Sequence, residues 1–199
     1  LSLLIKVNPV LTEPIACGWE SLWAPGKDLE EFSWADVEGM EWRKQIGTPL
    51  PIEMCPKKME RAHKIRLKMG IPEGDWFICL HIREGGFHKD WESSKYRNAD
   101  IFNYTKAIEY VTGKGGWVVR LGDTSMKKLP KINRVIDYPF TPFKSALMDV
   151  YLISECRFYS GTTSGIFDMA ILFQKPMVLA NIYTWIDSSP PRRGDLGIL

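Results

Sequence analysis

Two short stretches concentrate groups able to grip an anion. The first is "DWFICLHIREGGFHKD", Asp75 to Asp90, where a nearly continuous apolar run delivers His81 and Arg83 directly before Gly85 and Gly86. A guanidinium offers a planar fork that matches two phosphate oxygens, and it stays charged at any useful pH. His81 precedes Arg83 by two, so both project to one face if the strand persists. The second stretch is "SGTTSG", Ser160 to Gly165. Thr162, Thr163 and Ser164 offer hydroxyl donors, and Gly161 and Gly165 permit close backbone approach. A helix opening here would add unpaired N–H groups and a partial positive charge. The chemistry these groups share is the binding of phosphate or diphosphate. Each also has a plainer use: a surface ion pair for Arg83, a hydrogen-bonded core histidine for His81, simple N-capping for the hydroxyl cluster.

Further polar residues stand where strands should end. Arg120 and Asp123 lie in "RLGD", and Asp137 and Tyr138 in "VIDYP". Arg120 would give a second phosphate contact, and the others would serve a ribose or base. Glu84, Asp90 and Glu92 follow the first strand and are candidate general bases, though each equally fits a solvated loop carboxylate. Arg97 and Asn98 open a helix, where Asn98 also suits a cap. Several familiar patterns are missing. There is no Walker loop, no G-x-G-x-x-G, no G-x-S-x-G and no D-x-D. His63, His81 and His88 are too scattered for a zinc site.

The elements that must position these groups alternate. "PKKMERAHKIRLKMGI" opens with Pro56 and closes at Gly70, with Met59, Ala62, Ile65 and Met69 on one face, which predicts a helix. A strand follows over residues 75–82. "NADIFNYTKAIEYVTGKGG" predicts a helix capped at Asn98 or Asp100 and stopped by Gly113 to Gly116. "WVVRLG" and "RVIDY" predict strands, and "KSALMDVYLISE" a helix. "CRFYSG" predicts a strand, "TSGIFDMAILFQ" a helix, and "PMVLAN" a last strand. In the tail "SSPPRRGDLGIL", Pro190 and Pro191 argue against a helix. Continuous apolar strands alternating with helices predict an α/β fold, a Rossmann-like parallel sheet covered on both faces. Ligands of such sheets bind beyond the carboxyl ends of the strands, where all the groups above should lie.

Composition narrows the class. The chain has 199 residues, 45% hydrophobic and 25% charged, which is ordinary for a globular protein. A net charge of +2 is too small to argue for nucleic acid as partner. No run of eighteen apolar residues predicts a membrane span. Cys17, Cys55, Cys79 and Cys156 form no C-x-x-C pair and read as buried free thiols, which fits a reducing, cytoplasmic compartment. Residues 1–55 are irregular, rich in Pro and in the tryptophans Trp19, Trp23, Trp34 and Trp42. They read as an arm or the remnant of another domain, and residues 56–199 as the regular domain. The chain begins with Leu and lacks a basic leader, so it reads as a fragment or processed piece rather than one carrying a signal peptide.

The blocks "CLHIREGGF", "RNADIFNYTKAIEYVTGKGGWVVRLGD", "VIDYP" and "CRFYSGTTSG", in this order, resemble a family of bacterial glycosyltransferases. That family in turn is similar to the fucosyltransferase and protein O-fucosyltransferase superfamily with a GT-B fold. The resemblance spans roughly residues 56–185. It implies the nucleotide-binding half of a GT-B fold, with Arg83 on the diphosphate of a GDP-sugar and His81 helping to hold the nucleotide. It places Thr162, Thr163 and Ser164 on phosphate. Where several fucosyltransferases have Arg-Arg or Arg-x-x-Asp, this chain has "REGGF", so the sugar does not carry over. The expected partners are a nucleotide-diphosphate sugar donor, such as GDP-fucose, and a carbohydrate or other hydroxyl acceptor. With no D-x-D, Arg83 and the helix start would stabilise the leaving diphosphate without a metal or other cofactor. Some 55 residues before this half are too few for a full acceptor domain. Two alternatives stay open: a non-catalytic nucleotide-sugar-binding or assembly module, and a Rossmann enzyme that modifies a sugar nucleotide.

Overall fold

A computed structural model describes residues 5–6, 52–87, 92–182 and 195–198. The expected irregular arm, with its four tryptophans, lies outside the described residues except at its edges. There β1 (Ile5–Lys6) pairs antiparallel with β2 (Glu53–Met54).

The rest is the expected α/β arrangement. β3 (Phe77–His81), β4 (Trp117–Arg120), β5 (Val135–Asp137), β6 (Tyr159–Gly161), β7 (Met177–Ala180) and β8 (Leu196–Ile198) form one six-stranded sheet, every pair parallel. The strand order is β5-β4-β3-β6-β7-β8. The tail therefore supplies a sixth strand, and "PMVLAN" is not the last. Asp195 fastens this edge by accepting the backbone N–H of Met177 at 2.9 Å.

Strand periodicity explains why these runs are apolar throughout. Phe77 and Cys79 point into one core with Val119 and Leu121, while Ile78, Leu80 and Ile82 point into a second core with Val118. Successive residues face opposite sides of a sheet, so a strand covered on both faces has no polar register. The first core takes α1 (Pro56–Lys68), α3 (Ala146–Glu155) and α4 (Phe167–Leu172). The second takes α2 (Thr105–Gly113), through Ile108 and Val111, with Ile101 beside it. α1 begins with Pro56 at its first turn and ends before Gly70, whose φ of +97° suits glycine.

Two helix starts differ from expectation. Asp100, not Asn98, caps the second one: its side chain accepts the N–H of Phe102 and opens a 3-10 turn over Ile101–Tyr104 that leads into α2. The "SGTTSG" stretch does not open a helix directly. α4 starts only at Phe167, has six residues, and carries no side-chain cap. Two of the hydroxyls expected at its start turn toward the β3 end instead: Thr162 to the Arg83 N–H and Ser164 to His81.

Among the described residues no helix is long and apolar enough to cross a membrane. Cys55, Cys79 and Cys156 are free thiols, the last two buried. Burial pushes the Cys79 thiol pKa well up, which makes it an inert packing group.

Candidate functional site

The chain runs outward from β3 to β4 and β5, then returns to place β6 on the other side of β3. Helices change face at the same step, α2 on one side and α3 and α4 on the other. The carboxyl ends of β3 and β6 thus flank the point where the order reverses, which in open α/β sheets leaves a crevice. A cleft of about 530 Å³ opens here. Its lining includes His81, Arg83 and Glu84 after β3, Gly122 and Asp123 after β4, Ser164 and Gly165 after β6, and also Arg97 and Lys144.

β3 and β6 are joined tightly at this end. The backbone N–H of Thr162 donates to the His81 carbonyl at 2.9 Å. The Thr162 hydroxyl accepts the backbone N–H of Arg83 at 2.8 Å. A Cβ on Gly161 would stand 2.0 Å from the His81 carbonyl oxygen. Close backbone approach is thus required at Gly161, but toward the neighbouring strand. Thr162 and Thr163 are buried, at 1% and 4% exposure, and they do not line the cleft. Ser164 does, with its hydroxyl 3.1 Å from Nδ1 of His81.

Arg83 reaches Asn98, whose Oδ1 accepts from the guanidinium, and its carbonyl accepts the N–H of Ala99 at 3.0 Å. Asn98, read from sequence as a cap, is thereby a positioning residue for Arg83. Arg97 donates to the Thr163 carbonyl at 3.4 Å, and its Nε is buried without a hydrogen-bond partner. Lys144 pairs with Asp149 at 2.6 Å and lies 5.0 Å over the Tyr138 ring. Three cations therefore border one cleft.

Arg120 is placed differently. It is fully buried, and its two terminal nitrogens donate to Glu84 at 2.8 Å, to Asp137 at 3.0 Å and to the Lys127 carbonyl at 2.5 Å. The carboxylates are committed in turn. Glu84 accepts the Lys127 N–H through its second oxygen at 2.7 Å, and Asp137 the Leu129 N–H at 2.8 Å. Arg120 and Asp137 thus lie beneath the cleft as an ion network. Glu84 borders the cleft with both oxygens already accepting hydrogen bonds. Tyr138 is buried, its hydroxyl accepting the N–H of Ser145. Asp123 lines the cleft and accepts the N–H of Ser125 at 2.7 Å. Gly85 begins the turn over residues 85–87. Asp90 and His88 lie outside the described residues, as does the side chain of Glu92. His63 is far in sequence and use, beside Tyr151.

Burial, reinforced by Arg120 and opposed by Asp123, with Arg83 a further cation, holds the His81 pKa down at about 4. His81 is therefore neutral at pH 7. An unfolded histidine titrates near 6.5, so the unfolded chain takes up a proton first as pH falls. Stability is full above that value and declines between it and about pH 4. The expected loss from this group is on the order of 3 kcal/mol at the acid end. Denaturant midpoints across this range should fall, and His81→Asn should flatten the profile. Equal slopes in both proteins would remove His81 as the cause.

Lys144 and Arg97 were the contributions hardest to foresee. Arg97 stands in a polar run and Lys144 precedes a helix, and neither follows a strand. Among the described residues no group of three or more His, Cys, Asp or Glu side chains could hold a metal ion.

No protein-family model and no curated protein matches the chain. Among solved structures it is similar to a glycosyl transferase family 9 protein from Veillonella parvula DSM 2008, with a TM-score of 0.55 and 14% sequence identity. The match covers 76% of this chain and 42% of that one. The chain thus has a glycosyltransferase-like α/β fold and spans less than half the length of that relative.

Proposed function

We propose that this chain is the donor-binding part of a glycosyltransferase, and that the cleft between β3 and β6 holds the diphosphate of a nucleotide sugar. The observation that carries this reading is the convergence of Arg83, Arg97 and Lys144 at the strand-order reversal. The glycosyltransferase-like fold supports it. In this reading Arg83 is the principal diphosphate ligand, and neutral His81 with Ser164 supplies hydrogen bonds without adding charge. Asp123 faces the ribose hydroxyls. When the bond between the sugar carbon and the phosphate oxygen breaks, its electrons stay on the diphosphate. The cations offset that growing charge, so no metal is required. The acceptor hydroxyl attacks the same carbon and gives its proton to a base.

The test is calorimetric titration of the full chain with GDP, UDP and ADP, with and without Mg²⁺, beside Arg83→Ala. Binding that needs no Mg²⁺ and weakens about tenfold or more in the variant is the expected result, the size of a lost charged hydrogen bond. A preference for GDP would direct the search to GDP-sugars such as GDP-fucose. A folded chain that binds none of the three would sink the proposal. Binding without transfer to any offered acceptor would favour a binding module over an enzyme.

A further inference from the structure

Phe87 lines the cleft and is nevertheless 68% exposed. A single exposed aromatic is ordinary, so its setting is what matters. Phe87 closes the turn over residues 85–87, and that turn is fastened to the loop after β4. Glu84, just before it, is held by Arg120 and by the Lys127 N–H. A Cβ on Gly86 would come within 2.6 Å of the Ser125 hydroxyl, so the two loops are in direct contact. Gly122 is closed in the same way, its would-be Cβ 2.0 Å from Sδ of Met126. The phenyl ring is thus carried at the cleft on a turn anchored to the loop after β4. Met126 and Ile166 line the same cleft as further apolar groups.

The cleft therefore offers two chemistries together, cations for phosphate and an exposed ring with apolar neighbours. A nucleoside diphosphate has the matching two ends. We propose that Phe87 is a stacking platform for the nucleobase, with Met126 and Ile166 as its apolar surround. This rests on the donor reading above and adds a subsite to it. Every base has a π-face, so a stacking platform secures affinity for the nucleoside while discriminating only weakly among bases. Purines, with the larger face, gain most.

The experiment compares pyrophosphate, UDP and GDP on the full chain and on Phe87→Ala and Phe87→Trp. Phe87→Ala is expected to weaken GDP about tenfold or more, and UDP less. It should leave pyrophosphate within about twofold, because the cations are untouched. Phe87→Trp should keep GDP affinity, since an indole also stacks. Unchanged GDP affinity in Phe87→Ala would overturn the platform while leaving the donor site standing. So would equal losses for GDP and pyrophosphate, which would mark a general disturbance of the cleft. A wild-type chain that binds neither ligand would overturn the donor reading and this inference with it.

Discussion

Arg120→Ala is expected to destabilise the protein by about 3–5 kcal/mol, the cost of removing one member of a buried ion network. Arg120 is wholly buried and faces two carboxylates, those of Glu84 and Asp137. Their exposures are only 11% and 15%. Deleting the cation leaves both negative charges in a poorly solvated place with nothing to offset them. The penalty comes from those orphaned carboxylates more than from the lost attraction. A triple variant, Arg120→Ala with Glu84→Gln and Asp137→Asn, should therefore be more stable than Arg120→Ala alone. Urea unfolding midpoints measure both. If the three changes simply add, the charge argument fails and Arg120 matters only through its packing volume. Under the proposed donor reading, nucleotide affinity should fall in Arg120→Ala as well, because Glu84 and the turn that follows it lose their anchor.

Gly161→Ala should cost at least about 3 kcal/mol, the range of severe overpacking in a closed interior. The added Cβ would lie 2.0 Å from the His81 carbonyl oxygen and 2.9 Å from its carbon. Both atoms belong to the backbone of β3, which Gly161 faces directly in the sheet register. No side-chain rotation relieves the contact. The strands must separate, and the Thr162 hydrogen bonds to His81 and Arg83 are lost with them. A φ of +155° adds strain for any residue with a side chain. Gly165 is the control, since a Cβ there meets nothing within 4 Å. Gly165→Ala should change stability by less than about 1 kcal/mol. A Gly161→Ala protein as stable as this control would show that the junction of β3 and β6 is looser than described.

Arg120, Asp137, Tyr138, Thr162 and Thr163 all stand at strand ends, and sequence reasoning offered each to the ligand. In the fold none of them is among the cleft's lining residues: Arg120 and Asp137 pair with each other, Tyr138 packs in the first core, and Thr162 and Thr163 are buried. Arg120 alternates with Val119 and Leu121, so its side chain must enter the second core, where only paired carboxylates make a charge tolerable. Thr162 lies beside Gly161, close against β3, and its hydroxyl accepts the partly buried backbone N–H of Arg83 just past the end of that strand.

The sequence by itself determined much of the local structure. Apolar runs of strand length, Pro56 and Gly70 around α1, and glycines after α2 all act over a few residues, so their positions are readable in order. It also placed His81 at the end of a strand, and Arg83, Asp123, Ser164 and Gly165 in loops beyond strand ends, since a parallel sheet puts all such loops on one edge. The tertiary structure alone decided which loops meet. That β6 rather than β5 lies next to β3 depends on where the chain reverses, a choice made by packing helices on opposite faces. Pairing residues some eighty positions apart leaves no periodic mark. The same holds for Arg97 and Lys144, brought to the cleft by elements that are not strands, and for β8, whose three residues form a strand by pairing parallel with β7.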